Sequence, residues 1–171
     1  MDGLKRLENE GLLEIIPQVG VHVVTLEPRE IVDFFRLFAV VEDLCVSLAA
    51  ERADAAGAAR LTEINAEIGQ LLSQESDVRK QSYRQLNRAF HTQICTLAQS
   101  APLAAIVQSL WDRNVFYVTT AFADSMFTHR LADAHQEHEL ICQAIAANDV
   151  AAAQRAMDNH IMGFVSKIPG C

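Results

Sequence analysis

Residues 78–99 read VRKQSYRQLNRAFHTQICTLAQ, and the spacing of their apolar positions decides the fold class. Tyr83, Leu86, Phe90, Ile94 and Leu97 recur every three or four residues, the period of a helix that buries one face. Asn87 and His91 are four apart and lie on one side of that helix, beside the stripe. The same period continues in both directions. Upstream, Thr25 is expected to cap a helix that carries Glu27 and Pro28 in its first turn and ends near residue 52, and a second helix is expected over about 56–73. Downstream, Pro102 opens a long helix holding Val107, Leu110, Trp111, Val115, Val118 and Phe122. Another is expected over about 128–147, and Asn148 or Asp149 caps a last one that reaches about residue 167, with Pro169-Gly170 as its stop. Helices joined by such short turns predict an all-α fold, an antiparallel bundle of six to seven helices.

The first 25 residues have a different pattern. Residues 2–9 read as a short helix end carrying Lys5 and Arg6, which Gly11 stops. Residues 12–16 and 21–25 are apolar enough for two strands, and Pro17-Gln18-Val19-Gly20 between them is a turn signal. The expected division is therefore a helix and β-hairpin over 1–25 and a helical domain over 26–171.

Composition agrees with helices. The 171 residues are 50% hydrophobic but only 6% aromatic, with seven glycines and four prolines, a balance that favours packed helices over a sandwich or barrel. No apolar run approaches the roughly 18 residues that span a bilayer, and no charged-then-apolar leader opens the chain, so a cytoplasmic protein without a membrane partner is expected. The formal net charge of −8 argues against the bulk of the chain gripping a phosphate backbone. Cys45, Cys95 and Cys142 fall in apolar helical segments and are expected to be small buried hydrophobes in a reducing compartment, while Cys171 is the last residue.

The histidines carry the chemistry. His138 sits in the middle of the stripe Leu131, Ala134, Ile141 and Ile145, and His160 in the middle of Ala153, Met157, Ile161 and Phe164. With His91, three helices each point an imidazole into one apolar interior. A single buried histidine is usually bonded to a carbonyl, because an unsatisfied ring nitrogen costs about 1–3 kcal/mol. Three that converge are satisfied together by a divalent metal, for which imidazole is the commonest protein ligand. The other arrangement is a polar pocket holding water or an acid. His135 lies on a rotated face and is expected at the surface, a supporting place behind the ligand histidines being the alternative; His22 and His129 fall in a strand and a loop and receive no role.

Three histidines with an open position also resemble a catalytic zinc site. Such a site needs a general base, however, and the stripes around these histidines hold no carboxylate, since Glu137 and Glu139 flank His138 and are expected to point sideways. No GxSxG, HExxH, Walker A or GxGxxG string occurs. No enzyme is expected, and a metal-dependent hydrolase on a helical scaffold is the alternative. A dimerisation module with buried histidines and no ligand is a third.

Several strings resemble a known family. LKRLENEGLLEIIPQVGVHV (4–23) looks like the end of the recognition helix and the wing of a GntR-type winged helix-turn-helix. LNRAFHTQI (86–94), HQEHELICQAI (135–145) and ANDVAAAQRAMDNHI (147–161) resemble the effector domain of the FadR-like branch, called FCD. The resemblance implies a dimeric regulator whose helical domain holds a divalent metal, zinc or nickel, on an Asp and three His beneath a cavity for a small organic acid. Matched by position, the metal set is Asn87, His91, His138 and His160, so an amide stands where the family has its Asp. The family's effector-binding Arg falls on Phe38, with Arg36 on another face and Arg88 or Arg113 as substitutes. The resemblance also implies that the chain starts inside the recognition helix, leaving Lys5 and Arg6 as the remnant DNA contacts. Operator DNA is then a partner only where the complete winged helix is present. A complete regulator would bind its operator as a homodimer, under control of the organic acid.

Overall fold

The chain is seen here in a computed structural model, which describes residues 2–121 and 130–166. Helix α1 (Asp2–Asn9) ends where Gly11 takes a φ of +72°, which a side chain would resist. Strands β1 (Leu13–Ile16) and β2 (Gly20–Val23) then pair antiparallel, Leu13 opposite Val23 and Ile16 opposite Gly20. Among the described residues this hairpin is the whole of the β structure.

Among the described residues six helices follow: α2 (Pro28–Arg52), α3 (Ala55–Gln70) with a 3-10 turn at Leu71–Ser73, α4 (Ser76–Leu97), α5 (Ala101–Ala121), α6 (Leu131–Ala146) and α7 (Val150–Val165). Their starts are chemically marked. Pro28 opens α2, and the Glu30 side chain accepts from the backbone N–H of Glu27 at 2.9 Å. The cap of α2 is thus Glu27 and not Thr25, because the reciprocal pairing needs a carboxylate three residues on. Asp54 accepts from the N–H of Gly57 at 2.7 Å and Asp149 from that of Ala152 at 2.9 Å, satisfying the exposed donors of α3 and α7. Asn148, at φ +53°, closes α6 and donates its side-chain amide to the carbonyl of Ala50 at 2.7 Å. The expected positions Phe122, Thr128, His129, Lys167, Pro169, Gly170 and Cys171 lie outside the described residues.

Helix α2 is the spine. It packs along α7 and also touches α4, α5 and α6, while α3 bridges α4 and α6. One apolar cluster fills the space between them, with Phe38, Leu61, Phe90, Ile94, Ile141 and Met157 at full burial. Each such side chain contributes about 1.5–3 kcal/mol of transfer free energy. Helix α5 packs on α4 and α2, burying Val107, Leu110, Trp111 and Val118, while Val115, on its other side, is exposed. Cys45, Cys95 and Cys142 are buried free thiols. Burial pushes the Cys142 thiol up to about 12, consistent with a packing role. No described helix is long and apolar enough to cross a membrane.

Candidate metal centre

His91 on α4, His138 on α6 and His160 on α7 meet inside the bundle, each on the inward stripe of its helix. One ligand atom from each lies within 4.8 Å of the others. His160 Nε2 is 3.3 Å from His91 Nε2 and 3.3 Å from His138 Nε2. For comparison, two nitrogens each about 2.0–2.1 Å from a tetrahedral ion stand about 3.3–3.4 Å apart. The Phe90 ring stacks on His138 at a centroid distance of 4.0 Å and closes that side of the cluster.

Two carboxylates set the direction of the rings. Glu42, fully buried on α2, accepts from Trp111 Nε1 at 2.8 Å and faces His91 Nδ1 at 3.2 Å. Glu137 on α6 faces His160 Nδ1 at 2.7 Å and accepts from Arg130 at 2.6 Å. A carboxylate accepts, so each of these Nδ1 atoms carries the proton and each Nε2 presents a lone pair to the cluster centre. Lone pairs of His91 and His160 facing one another at 3.3 Å repel unless a cation stands between them. Burial, reinforced by the other imidazoles, holds His138 well below its usual range, and burial also lowers His160, so extra protons are disfavoured there. This donor set therefore fits a divalent ion.

The expectation that no carboxylate serves these histidines is corrected by both contacts. Glu42 occupies the inward stripe of α2, four residues after Phe38 and three before Cys45, with its partners on two other helices. Glu137 does sit on the flank of α6, but that flank meets α7 and so reaches His160. Glu139 points sideways as expected and is exposed. His135 is half-buried rather than at the surface, tied to Asn65 of α3 at 3.1 Å and outside the cluster. His22 is exposed on the hairpin.

A small, partly open cavity of about 60 Å³ adjoins the centre. Phe35, Phe38, Trp111 and Phe164 form its walls, and Tyr83, Asn87, Asn114, Arg130 and His160 add polar groups. Among the described residues, Asn87 Oδ1 is buried there with no hydrogen-bond partner, as is His138 Nδ1 within the cluster. Arg88 and Arg113 do not line this cavity; Arg88 pairs with Asp112 at 2.7 Å instead. Arg36 is exposed and reaches Asp33 at 3.5 Å. Lys5 and Arg6 sit on exposed turns of α1, where Arg6 pairs with Glu10 at 2.8 Å.

The profile of the FCD domain matches residues 33–163, which takes in the spine, all three imidazoles and both carboxylates. The chain belongs to the FCD family. It is 28% identical over 174 residues to the HTH-type transcriptional repressor GlaR of Escherichia coli K12, covering 94% of this chain and 74% of that protein. Its fold superposes on E. coli McbR/YncC with a TM-score of 0.81 at 19% identity, covering 98% of this chain and 81% of the other. GntR of Streptococcus agalactiae gives 0.62 at 17% identity, over 97% and 80% of the two chains. The FCD chain is accordingly of the GntR regulator type, a helical domain preceded by a helix and a two-stranded hairpin.

Proposed function

We propose that this FCD chain senses a small organic acid over a divalent metal and thereby controls the DNA binding of a homodimeric transcription regulator in the bacterial cytoplasm. His91, His138 and His160 hold the ion, and Asn87 adds a neutral fourth ligand through Oδ1. Zinc or nickel suits three imidazoles. When bound, such an ion attracts a carboxylate into the adjoining cavity. The observation that carries this reading is the pair of carboxylate–imidazole contacts, Glu42 to His91 and Glu137 to His160, which turn both Nε2 lone pairs inward. Asn87 Oδ1, buried and unpartnered on the cavity wall, supports the fourth position.

Residues 1–25 are read as the end of a winged helix, with Lys5 and Arg6 on its DNA side, and residues 26–171 as the sensing domain. Sensing rather than hydrolysis is favoured because Glu42 and Glu137, the carboxylates nearest the imidazoles, are occupied with Trp111 and Arg130. Neither is free to take a proton from water. Elemental analysis and calorimetry with zinc test the proposal. One ion per chain is expected, lost in His138→Ala; a metal-free protein that takes up no zinc or nickel would sink it.

A further inference from the structure

We infer that Arg130 is the anchor of the effector's carboxylate and that the effector is a monocarboxylate with an apolar body. This rests on the sensing function proposed above and narrows it. Arg130 is the cationic side chain among the residues lining the cavity; its other polar neighbours, Tyr83, Asn87 and Asn114, are neutral. Its side chain is 12% exposed, one terminal nitrogen is held by Glu137 at 2.6 Å, and Nε is buried without a partner. A guanidinium has five N–H groups in a planar fork. The contact with Glu137 fixes the fork in the wall and leaves Nε in need of an acceptor.

Charge sets the number of carboxylates. Glu42 and Glu137 contribute two negative charges at the centre, and Arg130 contributes one positive. A divalent ion on the imidazoles then leaves one positive charge uncompensated, because position 87 carries an amide and not a carboxylate. One carboxylate cancels it. A second would have no cation left to balance it and would leave water for a cavity whose walls are Phe35, Phe38 and Phe164, with the neutral groups of Tyr83, Asn87 and Asn114 to receive it. The same aromatic wall favours a hydrocarbon or ring-bearing body for the rest of the ligand.

The test is calorimetry on the full chain loaded with zinc, titrated with phenylacetate, hexanoate, the amides of both, and glutarate. At least one of the two acids is expected to bind one per chain, with its amide and glutarate at least tenfold weaker. Arg130→Gln, titrated at saturating zinc, is expected to weaken that acid at least tenfold while helical circular dichroism stays unchanged. Arg130→Lys, which keeps the charge but not the fork, should fall between them, and decides the matter where the glutamine variant fails to fold. Neither acid outbinding its amide, glutarate binding more tightly, or unchanged affinity in the Arg130 variants would overturn the inference. Elemental analysis reports the metal separately. A chain without zinc fails the metal reading and the charge count that depends on it, and the Arg130 comparison still decides whether this side chain anchors the acid.

Discussion

At position 87 an amide oxygen, buried and unpartnered, lines the cavity that His160 also lines. A neutral donor there leaves a bound dication under-compensated, since local pKa and affinity follow the ion's own charge. Asn87→Asp should therefore tighten zinc at least tenfold in a chelator competition, and weaken acid effectors by cancelling the charge that draws them. Glu42→Gln should act oppositely: losing the carboxylate behind His91 is expected to lower zinc affinity about 10–100-fold. The histidines also make the metal-free chain sensitive to acid. His138 and His160 titrate below their unfolded value near 6.5, so the unfolded chain takes up protons first as pH falls. Stability is full above that value and is lost progressively below it, towards the folded values. Urea unfolding of the metal-free protein at pH 7.5 and 5.5 checks this; equal midpoints would refute it. The three imidazoles were legible from helical period because each sits among apolar neighbours on its own helix. Glu42 was not, because its partners His91 and Trp111 lie 49 and 69 residues away, and a charged residue in a stripe reads as an interruption until the facing helices are known.

The elements hold these side chains in place through their ends as well as their faces. Helix α7 carries His160 in its third turn and starts at Asp149, whose carboxylate caps Ala152 at 2.9 Å. Asp149→Ala should cost about 1 kcal/mol, lowering Tm by roughly 2–4 °C in a chain of this size. Zinc affinity should be kept, since the cap lies three turns from the ring. A cap variant that lost zinc in step with stability would show that α7 cannot hold His160 without its first turn. Helix existence followed from period, and the cap at Asp149 from local chemistry, because both signals act within one turn. What could not be read locally was the neighbour each flank would meet. Glu137 looks lateral on α6 alone, yet α7 packs on that flank and turns it into a partner of His160. Gly57 is similar: a Cβ there would stand 2.3 Å from Leu97 Cδ2, so its smallness admits α4 close to α3.

For the whole molecule, α2 joins three surfaces that the proposed sensing would use. Its inward side supplies Phe35 and Phe38 to the cavity wall and Glu42 to the metal centre, and its N-terminus follows the hairpin. Its outward side carries Leu37, Val40 and Leu44, which are 55%, 68% and 49% exposed at helical spacing. Beside them a groove is lined by Arg36, Asp43, Arg155 and Asp158, both signs together. A twofold contact places one patch against its own copy, so apolar residues flanked by mixed charge are self-complementary there. A second copy of the chain docked on α2 would also link effector binding to the spacing of the two hairpins. Movement of α2 towards or away from a bound acid then biases one dimer arrangement, by no more than the difference in ligand affinity between the two. Val40→Asp puts a charge at the centre of the patch, far from the histidines. Sedimentation should report a monomer, or a dimer weakened at least tenfold, with zinc stoichiometry and acid affinity per chain retained. An unchanged dimer would move the interface elsewhere, and a monomeric wild-type chain would remove this route from site to DNA altogether.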